Sequence, residues 1–212
     1  MVLDSLAIIP AAGKATRFGG TLKELLPVYN GLSLLEMCFH RLPRTTETLV
    51  VSTPEKIAEH SRVMGNRVLY TVQGEKMDIW GAILEALQIP AKRYFFMMPD
   101  TLSNILEKHS RELDFQLGLF ETMKPYRFGC IVDGVIVNKS VQVRTPAFAW
   151  GALSWSQNVR SFWFEQMPET YTKAINIAMK EFGYETCRID PYYDFASFED
   201  YTDFIRSHHG KL

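Results

Sequence analysis

The residues best placed to do chemistry lie in one loop near the start of the chain. Ile8-Ile9-Pro10-Ala11-Ala12-Gly13-Lys14-Ala15-Thr16-Arg17-Phe18-Gly19-Gly20 runs on into Thr21-Leu22-Lys23-Glu24-Leu25-Leu26-Pro27-Val28. Small side chains at Ala11, Ala12 and Gly13 let backbone N–H groups approach an anion closely, forming a phosphate cradle. Lys14, Arg17 and Lys23 put cations on the same loop. An arginine fork grips phosphate oxygens, whereas a lysine acts as a mobile point charge. The spacing is neither G-x-x-x-x-G-K-[ST] nor G-x-G-x-x-G, which excludes a P-loop and a dinucleotide fingerprint. The competing reading is a surface loop with scattered charges.

A carboxylate follows at the end of an apolar run, Phe95-Phe96-Met97-Met98-Pro99-Asp100-Thr101. If that run is a strand beside the first one, Asp100 stands next to the cradle. An acid there makes sense with a divalent cation between it and the phosphates, because Mg²⁺ takes carboxylate together with phosphate oxygens. The alternative for Asp100 is the N-cap of a helix beginning near Leu102. Ser197 and Asp200 read as a variant capping box opening a last helix near Phe198. Trp163, on a helical face with Phe162 and Phe164, reads as packing.

The elements needed to position these residues can be read from periodicity. Leu6–Ala11, Thr48–Ser52, Arg67–Val72 and Arg93–Met98 are strand-like, alternating with helical patterns at Leu32–Leu42, after Pro54, and at Ile79–Leu87. Such alternation is the signature of a mostly parallel sheet with crossover helices. Beyond residue 114 the texture changes. Phe115–Phe120, Phe128–Val132 and Val135–Val137 are strand-like, and Asp133-Gly134 is a strong hairpin signal. Pro146–Leu153 is extended, Gln157–Glu165 and Thr170–Phe182 are helical, and Glu185–Ile189 is a last strand. The expected fold is α/β: a mostly parallel, Rossmann-like mixed sheet flanked by helices, with a β-hairpin as substrate wall. We expect residues 1–212 to form a single domain, with a nucleotide-binding half at about 1–114 and an acceptor-binding half at about 115–212.

The 212 residues are 47% hydrophobic and 22% charged, an ordinary globular composition. A net charge of −1, from 23 basic and 24 acidic residues, argues against a broad basic field for nucleic acid but leaves room for a local anion pocket. Cys38, Cys130 and Cys187 are far apart, so neither a disulfide framework nor a zinc site is expected. The apolar runs are too short for a bilayer span, and Asp4 stands where a signal peptide would be basic. No membrane partner is expected, and a cytoplasmic location is. His208 and His209 read as a solvated tail.

Pro10-Ala11-Ala12-Gly13-Lys14-Ala15-Thr16-Arg17-Phe18-Gly19, followed by Lys23-Glu24-Leu25-Leu26-Pro27-Val28, resembles the signature loop of the nucleotidyltransferase family that includes the sugar-1-phosphate nucleotidylyltransferases. The resemblance implies a GT-A-like α/β fold and a loop, Ala11 to Lys23, that wraps a nucleoside triphosphate. Arg17 and Lys23 would stabilise charge at the attacked α-phosphate. The interval between them is shorter than in long hexose-1-phosphate thymidylyltransferases and nearer the compact cytidylyltransferases. Asp100 matches the family's fourth-strand metal ligand, with Pro99 where glycine is usual. Pro191-Tyr192-Tyr193-Asp194-Phe195-Ala196-Ser197-Phe198-Glu199-Asp200 resembles the later W-x-D-x-x-T-x-E-D segment and implies Asp194 as the second metal carboxylate. Val137-Asn138-Lys139-Ser140 resembles the family's hairpin ending in E-K-P. It implies Lys139 at the acceptor phosphate, with Asn138 where glutamate usually meets sugar hydroxyls. Gly129 and Ala149 complete the implied acceptor set. Thr71-Val72-Gln73-Gly74 and Met77-Asp78-Ile79-Trp80-Gly81-Ala82 fall in the base-recognition region, which implies Gln73 and Gly81 as base contacts.

The implied reaction is Mg²⁺-dependent attack of an acceptor phosphate on the α-phosphorus, with release of pyrophosphate. The expected acceptor is a sugar 1-phosphate. Alternatives are a cytidylyltransferase acting on a phosphorylated alcohol or choline, and a non-catalytic nucleotide-sensing domain. A nucleotide-sugar-dependent glycosyltransferase usually carries two nearby acids after the fourth strand, and none adjoins Asp100.

Overall fold

The computed structural model describes residues 2–76, 78–103 and 113–208; Met77 and His209, named above, lie outside these. In chain order the elements begin with β1 (Leu3–Pro10), β2 (Pro27–Tyr29), β3 (Leu32–Ser33), α1 (Leu34–His40), β4 (Glu47–Ser52) and α2 (Ile57–Met64). Next come β5 (Leu69–Val72), α3 (Ile79–Leu87), β6 (Ala91–Met97), β7 (Thr101–Ser103) and β8 (Phe115–Thr122). The remainder is β9 (Gly129–Val132), β10 (Val135–Asn138), β11 (Ala147–Ser156), α4 (Gln157–Gln166), α5 (Tyr171–Phe182), β12 (Glu185–Arg188), β13 (Tyr192–Asp194) and α6 (Phe198–His208).

Leu6, Ala7, Ile8 and Ile9 of β1 are wholly buried. A strand apolar on both faces belongs inside a parallel sheet, and β1 pairs in parallel with β4 on one side and β6 on the other. The main sheet runs β10-β9-β11-β6-β1-β4-β5, with β8 also on β11 and β12 parallel to β8. Strand β11 is antiparallel to β6, so one sheet ties the two halves of the chain together. The sheet is therefore mixed, flanked by helices, as expected. Its largest core cluster sets packed aromatics among aliphatic side chains: Tyr94 stacks on Trp155 at 5.5 Å, and Trp163 meets Trp80 edge-on at 5.4 Å. Trp163 also donates its indole N–H to the Ala174 carbonyl at 2.9 Å, so this tryptophan packs rather than binds.

Several boundaries differ from the sequence reading. Leu32 and Ser33 are strand, and the helix begins at Leu34 because Ser33 caps it: Ser33 and Glu36 form a reciprocal capping box. Pro54 lies in a turn and α2 starts only at Ile57, while Gly65–Arg67 is a 3₁₀ turn that delays β5 to Leu69. No helix begins at Leu102. Thr101–Ser103 is strand β7, paired with β13, so helix capping does not account for Asp100. His208 is no free tail; it ends α6 and stacks on Phe204 at 4.3 Å. Among the described residues, no helix is long and apolar enough to cross a membrane.

Candidate active site

Parallel pairing of β1 and β6 delivers the glycine-rich loop and Asp100 to the same sheet edge, the edge at which open α/β sheets bind ligands. A cavity of about 730 Å³ opens there. After β1 the loop tightens into the 3₁₀ turn Thr16–Phe18, entered through Ala15 at φ +47° and left through Gly19 and Gly20 at +61° and +83°. Phe18 turns inward and meets Phe198 edge-on at 6.3 Å, which leaves Arg17 facing the cavity. A second turn, Lys23–Leu25, splits its charges. Lys23 reaches the cavity and pairs with Asp100, whereas Glu24 points into the protein.

The short ladder between β7 and β13 brings two carboxylates together. Asp194 pairs with Thr101, and the Phe195 N–H donates to the Asp100 carbonyl at 3.0 Å. Burial pushes the Asp194 carboxyl above its usual range, and the Asp100 charge adds to this while Arg127 opposes it. Each acid has its own cation. Arg127, delivered by the turn Pro125–Arg127, donates to Asp194 at 2.5 Å and makes a two-pronged contact with Asp200 at 3.0 and 3.1 Å. Asp200 also closes the capping box with Ser197. Among the described residues no group of three or more His, Cys, Asp or Glu gathers as a metal cluster. Two adjacent carboxylates suit Mg²⁺ nonetheless, because it commonly binds through one or two carboxylates plus phosphate oxygens and water.

The far wall comes from the second half. Gly129, Asn138, Lys139, Trp150, Gly151, Tyr171 and Tyr192 line the cavity. The β9–β10 hairpin turns at Asp133 and Gly134, both at positive φ, as a two-residue turn requires. Lys139 sits just past it at φ +47°, its N–H fixed on the Phe128 carbonyl at 2.8 Å. Gly129 has no side chain because the Trp150 indole occupies the space, and the Tyr192 ring fills the corresponding space at Gly151.

Not every expected residue meets the cavity. Ala11 and Ala12 are buried beneath the loop, and exposed Gly13 and Lys14 do not line the cavity wall, whose loop portion is Ala15–Phe18. Ala149 is wholly buried in a core cluster with Phe120 and Cys130, so strand alternation turns it away and its neighbours Trp150 and Gly151 face the site. Gln73 is buried and spends its amide N–H groups on the carbonyls of Lys76 and Asp78, at 2.6 and 2.7 Å. Gly81 is buried, and a side chain there would strike the Lys76 carbonyl. The close approach that Gly81 admits is thus the protein's own loop. Arg127 and Trp150 were missed: neither belongs to a spaced motif, and only the tertiary fold brings them to the site.

The fold is shared with nucleotidyltransferases, and the protein is an enzyme of that class. Residues 7–102 match the model of the MobA-like NTP transferase domain. No curated protein sequence matches the chain. Among solved structures, a protein assigned as a glucose-1-phosphate thymidylyltransferase from Bacillus anthracis, in complex with sucrose, aligns with a TM-score of 0.80 and 18% identity over 96% of this chain and 94% of its own. UTP-bound UGPase from Acinetobacter baumannii aligns at 0.73 and 15% identity over 100% and 95%. UDP-glucose pyrophosphorylase from the same organism aligns at 0.73 and 16% over 100% and 96%. These likenesses are of fold.

Proposed function

We propose that the protein is a Mg²⁺-dependent nucleotidylyltransferase that makes a nucleoside-diphosphate sugar from a nucleoside triphosphate and a sugar 1-phosphate, releasing pyrophosphate. The observation that carries this reading is the pair Asp100 and Asp194, side by side in the cavity and each matched by a cation. The structural relatives, with their UTP-bound and glucose-1-phosphate members, support it. The acceptor's phosphate is ionised at neutral pH, so no catalytic base is needed; positioning and neutralisation of like charge do the work. Asp100 and Asp194 would hold the Mg²⁺, whose contribution when bound is to neutralise phosphate charge. Arg17 and Lys23 grip the triphosphate around its α-phosphorus, and Lys139 orients the acceptor phosphate from the opposite wall. Arg127 joins this set as a cation between the acids and the acceptor side.

The acceptor end is lined by Tyr126, Phe128, Trp150, Tyr171 and Tyr192. Aromatic faces also attract a quaternary ammonium, which favours phosphocholine as the second reading. The test is to measure pyrophosphate released with Mg²⁺ and each of the four common nucleoside triphosphates against sugar 1-phosphates, phosphoalcohols and phosphocholine. Release that needs both substrates and is fastest with a sugar 1-phosphate is expected. Preference for phosphocholine would replace the sugar, and binding of nucleotide without release from any pair would overturn the reading.

A further inference from the structure

Behind the glycine-rich loop, on the side away from the cavity, Glu24, Lys56 and His60 are buried together at 2%, 9% and 0% exposure. Glu24 Oε1 accepts from Lys56 Nζ at 3.1 Å and lies 3.0 Å from His60 Nε2, while His60 Nδ1 is 2.8 Å from the Ser52 hydroxyl. Burial raises the Glu24 carboxyl, but the His60 and Lys56 contacts outweigh it and hold the group below its ordinary value. None of these side chains lines the cavity. Lys56 goes one step further: its ammonium also donates to the backbone carbonyls of Ala11, at 3.4 Å, and Gly13.

A planar trans peptide points its C=O and the following N–H in opposite directions. Carbonyls of Ala11 and Gly13 drawn inward by Lys56 therefore turn the N–H groups of Ala12 and Lys14 away from it, and Gly13 and Lys14 of that segment are exposed. Among the described residues, no protein acceptor pairs with the N–H of Ala12, Gly13 or Lys14. We propose that Lys56, anchored by Glu24 and His60, is a positioning residue that sets the peptide planes of the glycine-rich loop so that its N–H groups present to the triphosphate. The inference rests on the proposed function in assigning a polyphosphate to this loop. Hydrogen bonds from Lys56 also polarise those peptides, which strengthens their N–H groups as donors to an anion. Glu24 takes one of the three N–H donors of the Lys56 ammonium, and the carbonyls of Ala11 and Gly13 take the others, which ties the loop backbone to the buried cluster.

The test is calorimetric binding of inorganic triphosphate to wild type and Lys56→Met, with KM determined separately for nucleotide and acceptor. Loss of the aligned donors is expected to weaken triphosphate binding by about tenfold to a hundredfold and to raise the nucleotide KM, leaving the acceptor KM unchanged. A folded Lys56→Met protein that binds triphosphate like wild type overturns the inference and leaves the proposed function standing. Wild type that binds no triphosphate overturns the proposed function and this inference with it. Should Lys56→Met fail to fold, Glu24→Gln serves in its place, keeping the size while removing the charge that anchors Lys56. Weakened triphosphate binding with an unchanged acceptor KM supports the inference there, and wild-type binding overturns it.

Discussion

Lys23 and Asp100 hold each other across the cavity, as do Arg127 and Asp194, so both carboxylates proposed for the chemistry have a cationic partner before substrate arrives. Exposed pairs of this kind contribute little to stability; these are partly buried, and their value lies in keeping charged groups in place. Asp100→Asn is expected to lower turnover by at least about a hundredfold while the melting temperature moves little, since the change removes one carboxylate charge from the reacting region. Near-normal turnover of the folded variant would remove Asp100 from the chemistry. Lys139→Ala is expected to weaken apparent affinity for the acceptor by about tenfold to a hundredfold with nucleotide affinity nearly unchanged, a split visible when each substrate is varied in turn. Equal loss for both would assign Lys139 to the fold or to the nucleotide. Residues carried by the local signature, Arg17, Lys23 and Asp100, were legible because short loops and strand order bring them together. Arg127 was not, because its partners Asp194 and Asp200 lie 67 and 73 positions away in the chain.

Elements position the site through close backbone packing, most plainly where β11 passes β13. The register of β11 against β8 shifts between Trp150 and Ala152, and Gly151 at that irregularity lies against the Tyr192 ring. Gly151→Ala must displace Tyr192, two residues before Asp194 on the same short strand. Overpacking at such a contact is expected to cost about 1–3 kcal/mol of stability and to lower turnover as well. Thermal unfolding with steady-state kinetics checks both, and wild-type kinetics would mean that β13 adapts without moving Asp194. Ala149 was not legible because β11 is buried along nearly its whole length, so no in–out pattern in the sequence marks which of its side chains meet the cavity. Asp133-Gly134 was read correctly because its turn chemistry is local. Asn30-Gly31 carries the same positive-φ chemistry, but the strands it joins, Pro27–Tyr29 and Leu32–Ser33, are too short to show a period of two. Gln73 and Gly81 both meet the protein's own loop outside the cavity lining, since a polar amide and a glycine serve a protein loop as readily as a base.

At the scale of the whole molecule, buried and half-buried carboxylates set how stability follows pH. The folded structure holds Glu24 and Glu36 below an ordinary value of 4.5 and Asp200 below 3.8. Depressed carboxylates contribute stability that is full above the unfolded value and is lost as pH falls through the folded one. Asp194 is raised, so it works the other way and gains as pH falls. The melting temperature is therefore expected to decline below about pH 4.5, and Glu24→Gln should lower it at neutral pH while flattening the acid decline. An unchanged acid slope in that variant would show that Glu24 does not drive it. The parallel order of β1 and β6, legible from strand–helix alternation, is what places the loop and Asp100 on one edge; the antiparallel joining of β11 to β6 was not legible, since no local signal encodes it. The central claim is transfer of a nucleotidyl group to a phosphate, and ³¹P NMR of a reaction with Mg²⁺, a nucleoside triphosphate and a sugar 1-phosphate tests it most directly. Wild type should convert the acceptor's monophosphate resonance into a coupled diphosphate pair with an equal amount of pyrophosphate, and Asp100→Asn should leave both substrates unchanged. Formation of nucleoside diphosphate and inorganic phosphate, with the acceptor resonance intact, would contradict it.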